Sequence, residues 1–545
     1  MKFSHFSDSL TRISSKSYRF ILLIISGLLT GLTLVFTKVG FFEWITLVPM
    51  GVVLISRASD RRVKLRSLYL DGFLYYFSYY LVCYHWFVFL YPLDFIDGMS
   101  KGSALAVVLL AWLGLSLFQT VMGGAVFVLC GALFRCHLCR RVPFFRIPVA
   151  AGLFAVFEWS QTLGWWGVPW GRLPLAQSEY LIGLQTASLF GSYFVTFVIL
   201  TVNLLLAYCL INPAKVKISC IAAASVLLFQ YGAGALIWFT TDLSEGKKIA
   251  VSCIQGNISS SEKWETESNI KTKETYRKLI LEAAEGGADL IVLPETAYPY
   301  DMDSPKQSAL NQEFCDIAEE YDAYILVGGF TVEGEKDSLN SLICYTPEGE
   351  RADVIYSKQH LVPFGEYVPM RELIEILIPP LADLVLSSDD IDAGEGSKVI
   401  TAGDVKLGGL ICFDSIYEQL TYNSVRDGAE LICLATNDSW FSDSAALYMH
   451  NAQAQLRAIE TRRYVARAAN TGISTVINSR GEVIDELEPL VEGRANATVY
   501  ANGQQTLCVT LGNMFVYLLI VFLLAIVGEN TVFAVINGKK RKKTT

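Results

Sequence analysis

Long, almost uncharged apolar runs recur along this chain, and a run of about 20 such residues can cross a bilayer only as a helix that satisfies its own backbone. They cover Tyr18 to Val39, Phe41 to Ile55, Leu68 to Tyr91, Ser103 to Phe134, Ile147 to Leu163, Ile182 to Ile211, Val216 to Phe239 and Phe515 to Ile536. Eight spans are expected, of which the second and fifth are short. With 52% of its 545 residues hydrophobic and 18% charged, and a mean hydropathy of +0.38, the chain is too apolar for an ordinary soluble enzyme.

Basic residues orient these spans, because short cytoplasmic loops are enriched in Lys and Arg. Lys2, Arg12, Lys16 and Arg19 precede the first span, and Arg57, Arg61, Arg62, Lys64 and Arg66 follow the second. Arg135, Arg140, Arg141 and Arg146 follow the fourth, Lys215 and Lys217 the sixth, and Lys539 to Lys543 the last. Alternate loops agree, so both termini are expected to be cytoplasmic and the long segment after the seventh span extracytoplasmic. The first apolar run is too long for a signal-peptide core and no small-residue cleavage site follows it, so it reads as an uncleaved anchor.

The expected domains are a membrane domain of about seven helices over residues 1–241, an extracytoplasmic domain over 242–505, and a last helix with a basic tail over 506–545. The middle domain carries most of the acidic excess behind the net charge of −9, which argues against nucleic acid. Strand-like runs at Lys248–Ile254, Leu290–Leu293, Tyr324–Gly328, Ser341–Tyr345, Val405–Ile411, Glu430–Leu434 and Ser474–Ile477 alternate with helical patterns at Thr272–Ala284, Ser308–Glu320, Ile416–Arg426 and Tyr448–Ala469. That alternation predicts an α/β domain. Cys253, Cys344 and Cys433 read as small core residues. Cys136 and Cys139 form the one close cysteine pair, without the remaining ligands a metal site needs, so no metal is expected.

Within this domain, Leu407-Gly-Gly-Leu-Ile-Cys-Phe-Asp-Ser415 delivers Cys412 to a strand-to-helix turn. A helix N-terminus there favours thiolate over thiol. A lone cysteine in a strand is more often a buried structural thiol; two other stretches favour chemistry. Ala288-Asp-Leu-Ile-Val-Leu-Pro-Glu295 is a buried strand ending in a carboxylate, and Lys358-Gln-His-Leu-Val-Pro-Phe-Gly-Glu366-Tyr-Val-Pro369 carries a lysine and a second acid.

Glu295, Lys358 and Cys412 in this chain order resemble the nitrilase superfamily. The Lys358–Pro369 string and the hydrophobic N-terminal half resemble its membrane-bound branch, the apolipoprotein N-acyltransferases. The resemblance implies that the middle domain is a nitrilase-like α-β-β-α sandwich beside a polytopic α-helical membrane domain. It also implies a ping-pong reaction in which a phospholipid acylates Cys412 and the α-amine of a lipoprotein's diacylglyceryl-cysteine accepts the chain. Glu295 is then the general base and Lys358 the oxyanion partner, joined by the backbone N–H of Phe413.

Glu366 resembles the family's second carboxylate, with a loop-capping role as its rival. Phe413-Asp414 stands where the best-known form of the family has Tyr-Glu, so a tyrosine hydroxyl is missing and the acid is one methylene shorter. Trp264 resembles a lid over the acyl chain, or else an interfacial anchor. The Asn437-Asp-Ser-Trp440-Phe441 loop is expected to line the pocket, and Trp170 in Gly167-Val-Pro-Trp170 to mark an interface belt. No cofactor is expected, and the chain is expected to be a monomer in a bacterial inner membrane. The alternatives are a membrane-anchored amidase or hydrolase with water as acceptor, a degenerate scaffold, and a transporter. The intact trio argues against the scaffold, and the lack of a clear inverted repeat against the transporter.

Overall fold

The computed structural model describes residues 17–93, 99–164, 167–259, 268–334, 336–377 and 391–544; Lys2, Arg12, Lys16 and Trp264 lie outside them. The chain forms two compact units, one of Met1–Val88, Val107–Thr240 and Leu511–Thr545, the other of Phe89–Ala106 and Thr241–Thr510.

Among the described residues, seven helices are long and apolar enough to cross a membrane: Tyr18–Val35, Thr37–Ala58, Leu65–Leu90, Lys101–Phe134, Ser192–Ile211, Pro213–Thr240 and Met514–Asn537. The expected fifth span is shorter than the sequence suggested. Its helix, Arg146–Ser160, has 15 residues, about 22 Å at 1.5 Å per residue, against a hydrocarbon core of about 30 Å. The expected sixth span is broken into Leu181–Leu184, Ala187–Phe190 and Ser192–Ile211. The last break falls at Gly191, whose φ of +79° a helix cannot hold. Trp170 is 4% exposed, packed 5.4 Å from the ring of Trp86 inside the helical unit rather than presented as a belt residue.

The second unit contains thirteen described strands: β1 (Lys247–Gln255), β2 (Leu290–Val292), β3 (Tyr324–Glu333), β4 (Lys336–Thr346), β5 (Glu350–Arg351), β6 (Tyr356–Ser357), β7 (Val399–Ala402), β8 (Val405–Ile411), β9 (Leu431–Thr436), β10 (Tyr464–Ala469), β11 (Thr475–Ile477), β12 (Val483–Glu486) and β13 (Gly493–Ala501). One sheet runs β13-β1-β2-β3-β4-β5, with β6 also on β4, and the other runs β12-β11-β10-β9-β8-β7. The centres β1-β2-β3 and β8-β9-β10 are parallel.

Side-chain alternation places the layers. Leu431, Cys433 and Ala435 of β9 enter one core shared with Val251 and Cys253 of β1, Val292 of β2 and Cys344 of β4, so the two sheets pack face to face. The opposite face of the first sheet, with Ile291, Ile325 and Ile343, packs on helices Ser268–Glu285 and Ser308–Tyr321 through Leu279, Ile280, Phe314 and Ile317. Helices Glu418–Arg426 and Ala445–Thr461 lie against the second sheet. The result is an α-β-β-α sandwich.

Two helical expectations change here. Tyr448–Ala469 is not one helix: helix Ala445–Thr461 ends at Arg462, whose φ is +55°, and Tyr464–Ala469 becomes β10 between β9 and β11. Ile416–Arg426 is replaced by a 3₁₀ turn over Cys412–Ile416 followed by helix Glu418–Arg426.

Candidate active site

Four chain segments leave their strands at the carboxyl ends and meet: Glu295 after β2, Lys358 after β6, Cys412 after β8 and Asn437 after β9. Carboxyl ends of parallel strands are where open α/β sheets hold ligands, because the loops there converge from several strands.

Lys358 is 1% exposed, and its Nζ donates to Glu295 Oε1 at 2.9 Å and to Glu366 Oε1 at 2.8 Å. Burial alone would discharge the lysine, but the two carboxylates and the thiol outweigh it and hold its pKa well above the ordinary value. Glu295 is fixed on every side. Its Oε1 also accepts from Asn340 Nδ2 at 2.7 Å, and its Oε2 accepts from the backbone N–H of Asn437 at 2.9 Å. Glu366 Oε2 accepts from Val362 N at 2.8 Å, so the two readings of this acid coexist: it closes its loop and pairs with Lys358.

Cys412 has φ = +48°, a left-handed conformation that a side-chain-bearing residue adopts at a cost of about 1–3 kcal/mol. Asp414, fully buried, braces this corner. It accepts from Ile411 N at 3.2 Å, from His360 N at 2.8 Å, from Gln359 N at 3.2 Å and from the Tyr356 hydroxyl at 2.9 Å, so one carboxyl ties the cysteine turn to the lysine loop. Burial pushes its pKa up to about 7 against those hydrogen bonds and Lys358. Tyr356 reaches Asp414 by lying on Gly409, where an added Cβ would come within 2.6 Å of the ring.

The expectation of a resting thiolate is not met. Burial, and then the Glu295 charge, push the Cys412 thiol well above its ordinary pKa, and Lys358 opposes them without prevailing. A 3₁₀ turn rather than an α-helix follows the cysteine, so there is no helix dipole of useful length, and the half-buried Cys412 packs against the inter-sheet core. A base is needed to take the proton, and Glu295 is the carboxylate that acts on this thiol most strongly.

Of the remaining residues singled out from sequence, Phe413 packs edge-on against Tyr417 at 5.5 Å, and Trp440 lies on the 3₁₀ turn Ser439–Phe441 following Asn437. Sequence reasoning missed Asn340 and Tyr356. The signal for Asn340 was present: an asparagine between Leu339 and Ser341 in the interior of a strand, where that residue is disfavoured unless it has a partner.

Residues 250–508 match the carbon-nitrogen hydrolase family model, and residues 26–205 match the model for the apolipoprotein N-acyltransferase N-terminal domain. The sandwich is therefore a carbon-nitrogen hydrolase domain. The apolipoprotein N-acyltransferase of Gloeobacter violaceus is 30% identical over 462 residues, 84% of this chain and 83% of that protein. The enzyme of the same name from Geobacter metallireducens is 34% identical over 58% of this chain and 61% of its own length, and that from Pasteurella multocida is 27% identical over 95% and 96%. The chain belongs to the apolipoprotein N-acyltransferase family, as a multi-pass membrane acyltransferase.

Proposed function

We propose that Cys412, Glu295 and Lys358 carry out a two-step N-acyl transfer from a membrane phospholipid to the N-terminal amine of a diacylglyceryl lipoprotein. Glu295 takes the Cys412 proton as sulfur attacks the ester carbonyl carbon. The oxyanion that forms is met by Lys358 Nζ and the Phe413 N–H, and its collapse expels the lysophospholipid alkoxide, which takes the proton back from Glu295. The amine then attacks the thioester with Glu295 again as base, and the Cys412 thiol is regenerated. Glu366 keeps Lys358 oriented, and Asn340 and the Asn437 N–H orient Glu295.

The observation that carries this reading is the buried Glu295–Lys358–Glu366 bridge, with Nζ at 2.9 and 2.8 Å from the two acids, acting on a cysteine at a strained strand end. Family membership supports a lipoprotein acceptor. The apolar helices support a donor drawn from the bilayer and a thioester kept from water. The loop charges support a catalytic domain over 242–505 on the extracytoplasmic face, between the membrane segments 1–241 and 506–545, with cytoplasmic termini in a bacterial inner membrane. A monomer suffices, since all these residues come from one chain.

The test is to load purified enzyme with labelled phospholipid and follow the thioester with a diacylglyceryl peptide, with the same peptide N-acetylated, and in buffer. Fast discharge only with the free amine is expected. Equal decay in all three, releasing free fatty acid, makes water the acceptor and replaces this reading with a hydrolase.

A further inference from the structure

Beside the nucleophile lies a second buried polar cluster that the two acyl-transfer steps do not use. His450, 1% exposed on helix Ala445–Thr461, has Nε2 2.9 Å from Ser415 Oγ and 3.2 Å from the backbone carbonyl oxygen of Cys412. Its Nδ1 is 3.0 Å from Asp438 Oδ1, and Asp438 Oδ2 accepts from Arg467 Nη2 at 2.6 Å. Burial alone would raise the Asp438 pKa, but Arg467 and His450 hold it below the usual carboxylate range, so Asp438 remains an anion that anchors the ring.

The proton inventory sets the direction of these bonds. Ser415 Oγ gives its one proton to the Cys412 carbonyl at 2.8 Å, which leaves lone pairs toward His450. Nε2 thus faces a carbonyl and a hydroxyl oxygen, and with a proton on Nε2 the ring presents its N–H to both. Two donors, Ser415 and His450, converge on one carbonyl oxygen of a residue held at φ = +48°.

That oxygen and the N–H of Phe413 belong to the same rigid trans peptide unit and point in opposite directions. Phe413 lies in the first turn of the 3₁₀ segment, where N–H groups have no acceptor within the turn. We propose that His450 and Ser415 are positioning residues: by holding the Cys412 carbonyl they fix the Cys412–Phe413 peptide plane and aim the Phe413 N–H at the oxyanion. Without them the strained unit can rotate toward a relaxed conformation and turn that donor away. The inference rests on the acyl-transfer reading above, since it assigns the second oxyanion donor of that reaction.

Two rates on the full-length enzyme test it. Acylation by labelled phospholipid passes through an oxyanion, whereas alkylation by iodoacetamide is displacement at a saturated carbon and does not. His450→Asn places its amide near Nδ1 and loses the donor to the carbonyl; His450→Gln places an amide N–H near Nε2 and keeps it. His450→Asn is expected to slow acylation about 100-fold, as for loss of an oxyanion donor, with alkylation changed less than about twofold. Ser415→Ala is expected to lose about tenfold with the same selectivity, one of two donors remaining, and His450→Gln to recover most of the acylation rate.

Equal losses in both rates, or a His450→Gln as slow as His450→Asn, overturn the assignment. Should His450→Asn fail to fold, Ser415→Ala gives the same comparison, and unchanged acylation in that variant overturns it equally. A wild-type enzyme that alkylates but never acylates overturns the acyl-transfer reading and this inference together; one that acylates, beside variants that lose both rates alike, overturns this inference alone.

Discussion

Leu110, Leu228, Leu236 and Phe239 of the helical unit are 66 to 77% exposed, while Glu43, Asp71 and Arg172 of the same unit are fully buried. In the sandwich the inter-sheet core is apolar; Glu295, Lys358, Asp414, Asp438 and Arg467 gather around the carboxyl ends of its strands, while Arg457 and Glu460 pair within their helix and Arg463 is buried at the amino end of β10. The difference follows from the solvent each unit meets. Hydrocarbon outside a helix gives leucine no reason to turn inward, so close backbone approach and polar contacts hold the helices together. Gly27 and Gly31 illustrate the first: a Cβ at Gly27 would come within 2.4 Å of the Tyr75 carbonyl oxygen, and one at Gly31 within 2.7 Å of Val82. Asp71, accepting from Arg57 at 2.6 Å and Arg19 at 2.9 Å, illustrates the second. In water the apolar core already stabilises the sandwich, so the buried charges at its strand ends are available for chemistry.

If that contrast holds, charges removed from the two units fail in different ways. The largest effect is expected at Cys412→Ala, with no acyl-enzyme and no turnover but an unchanged melting profile; Cys412→Ser falls nearly as far, because a hydroxyl is much harder to deprotonate. Wild-type turnover by the alanine variant ends the assignment.

Lys358→Ala and Glu295→Gln are expected to slow turnover at least ~100-fold. The lysine variant also leaves Glu295 and Glu366 facing each other without a cation, so its unfolding temperature falls as well, whereas that of Glu295→Gln falls less.

Asp71→Ala reverses the pattern. Two arginines lose their shared partner inside the helical unit, which costs about 3–5 kcal/mol of stability for a buried pair broken on one side, while kcat of the surviving folded enzyme stays within about twofold. Detergent-stability curves together with kcat decide it; a large kcat loss at wild-type stability removes the contrast between the units.

A smaller effect concerns the resting thiol. A raised thiol pKa means that the folded enzyme keeps the Cys412 proton at neutral pH, so the thiolate fraction, and with it the alkylation rate, keeps rising from pH 7 to 9 and above. A rate that levels off below pH 8 indicates a thiolate at rest.

Local pattern determined a good deal about this protein. The apolar runs mark the long helices, because their length and lack of charge answer to the solvent around each helix alone. The limits of β8, Val405 to Ile411, were legible to the residue, since Leu407 to Ile411 is a run without charge, buried on both faces and followed by a turn. Glu295, Lys358 and Cys412 were legible as a set because their chain order resembles the nitrilase superfamily and two of them, Glu295 and Cys412, lie at the ends of predicted strands. Only the tertiary structure decided the rest. Whether Tyr464–Ala469 continued a helix or became β10 depended on the place between β9 and β11, and its small and β-branched residues suited either. The edge strand β13 owes its existence to β1 at the other end of the domain, which no local window contains, whereas β7 and β12 are hairpin partners of β8 and β11. His450, Asp438 and Arg467 come from a helix, a loop and a strand, and Lys358 is held between acids that lie 63 residues before it and 8 after it. Periodicity records which side of an element is buried; what it is buried against is a property of the assembled chain.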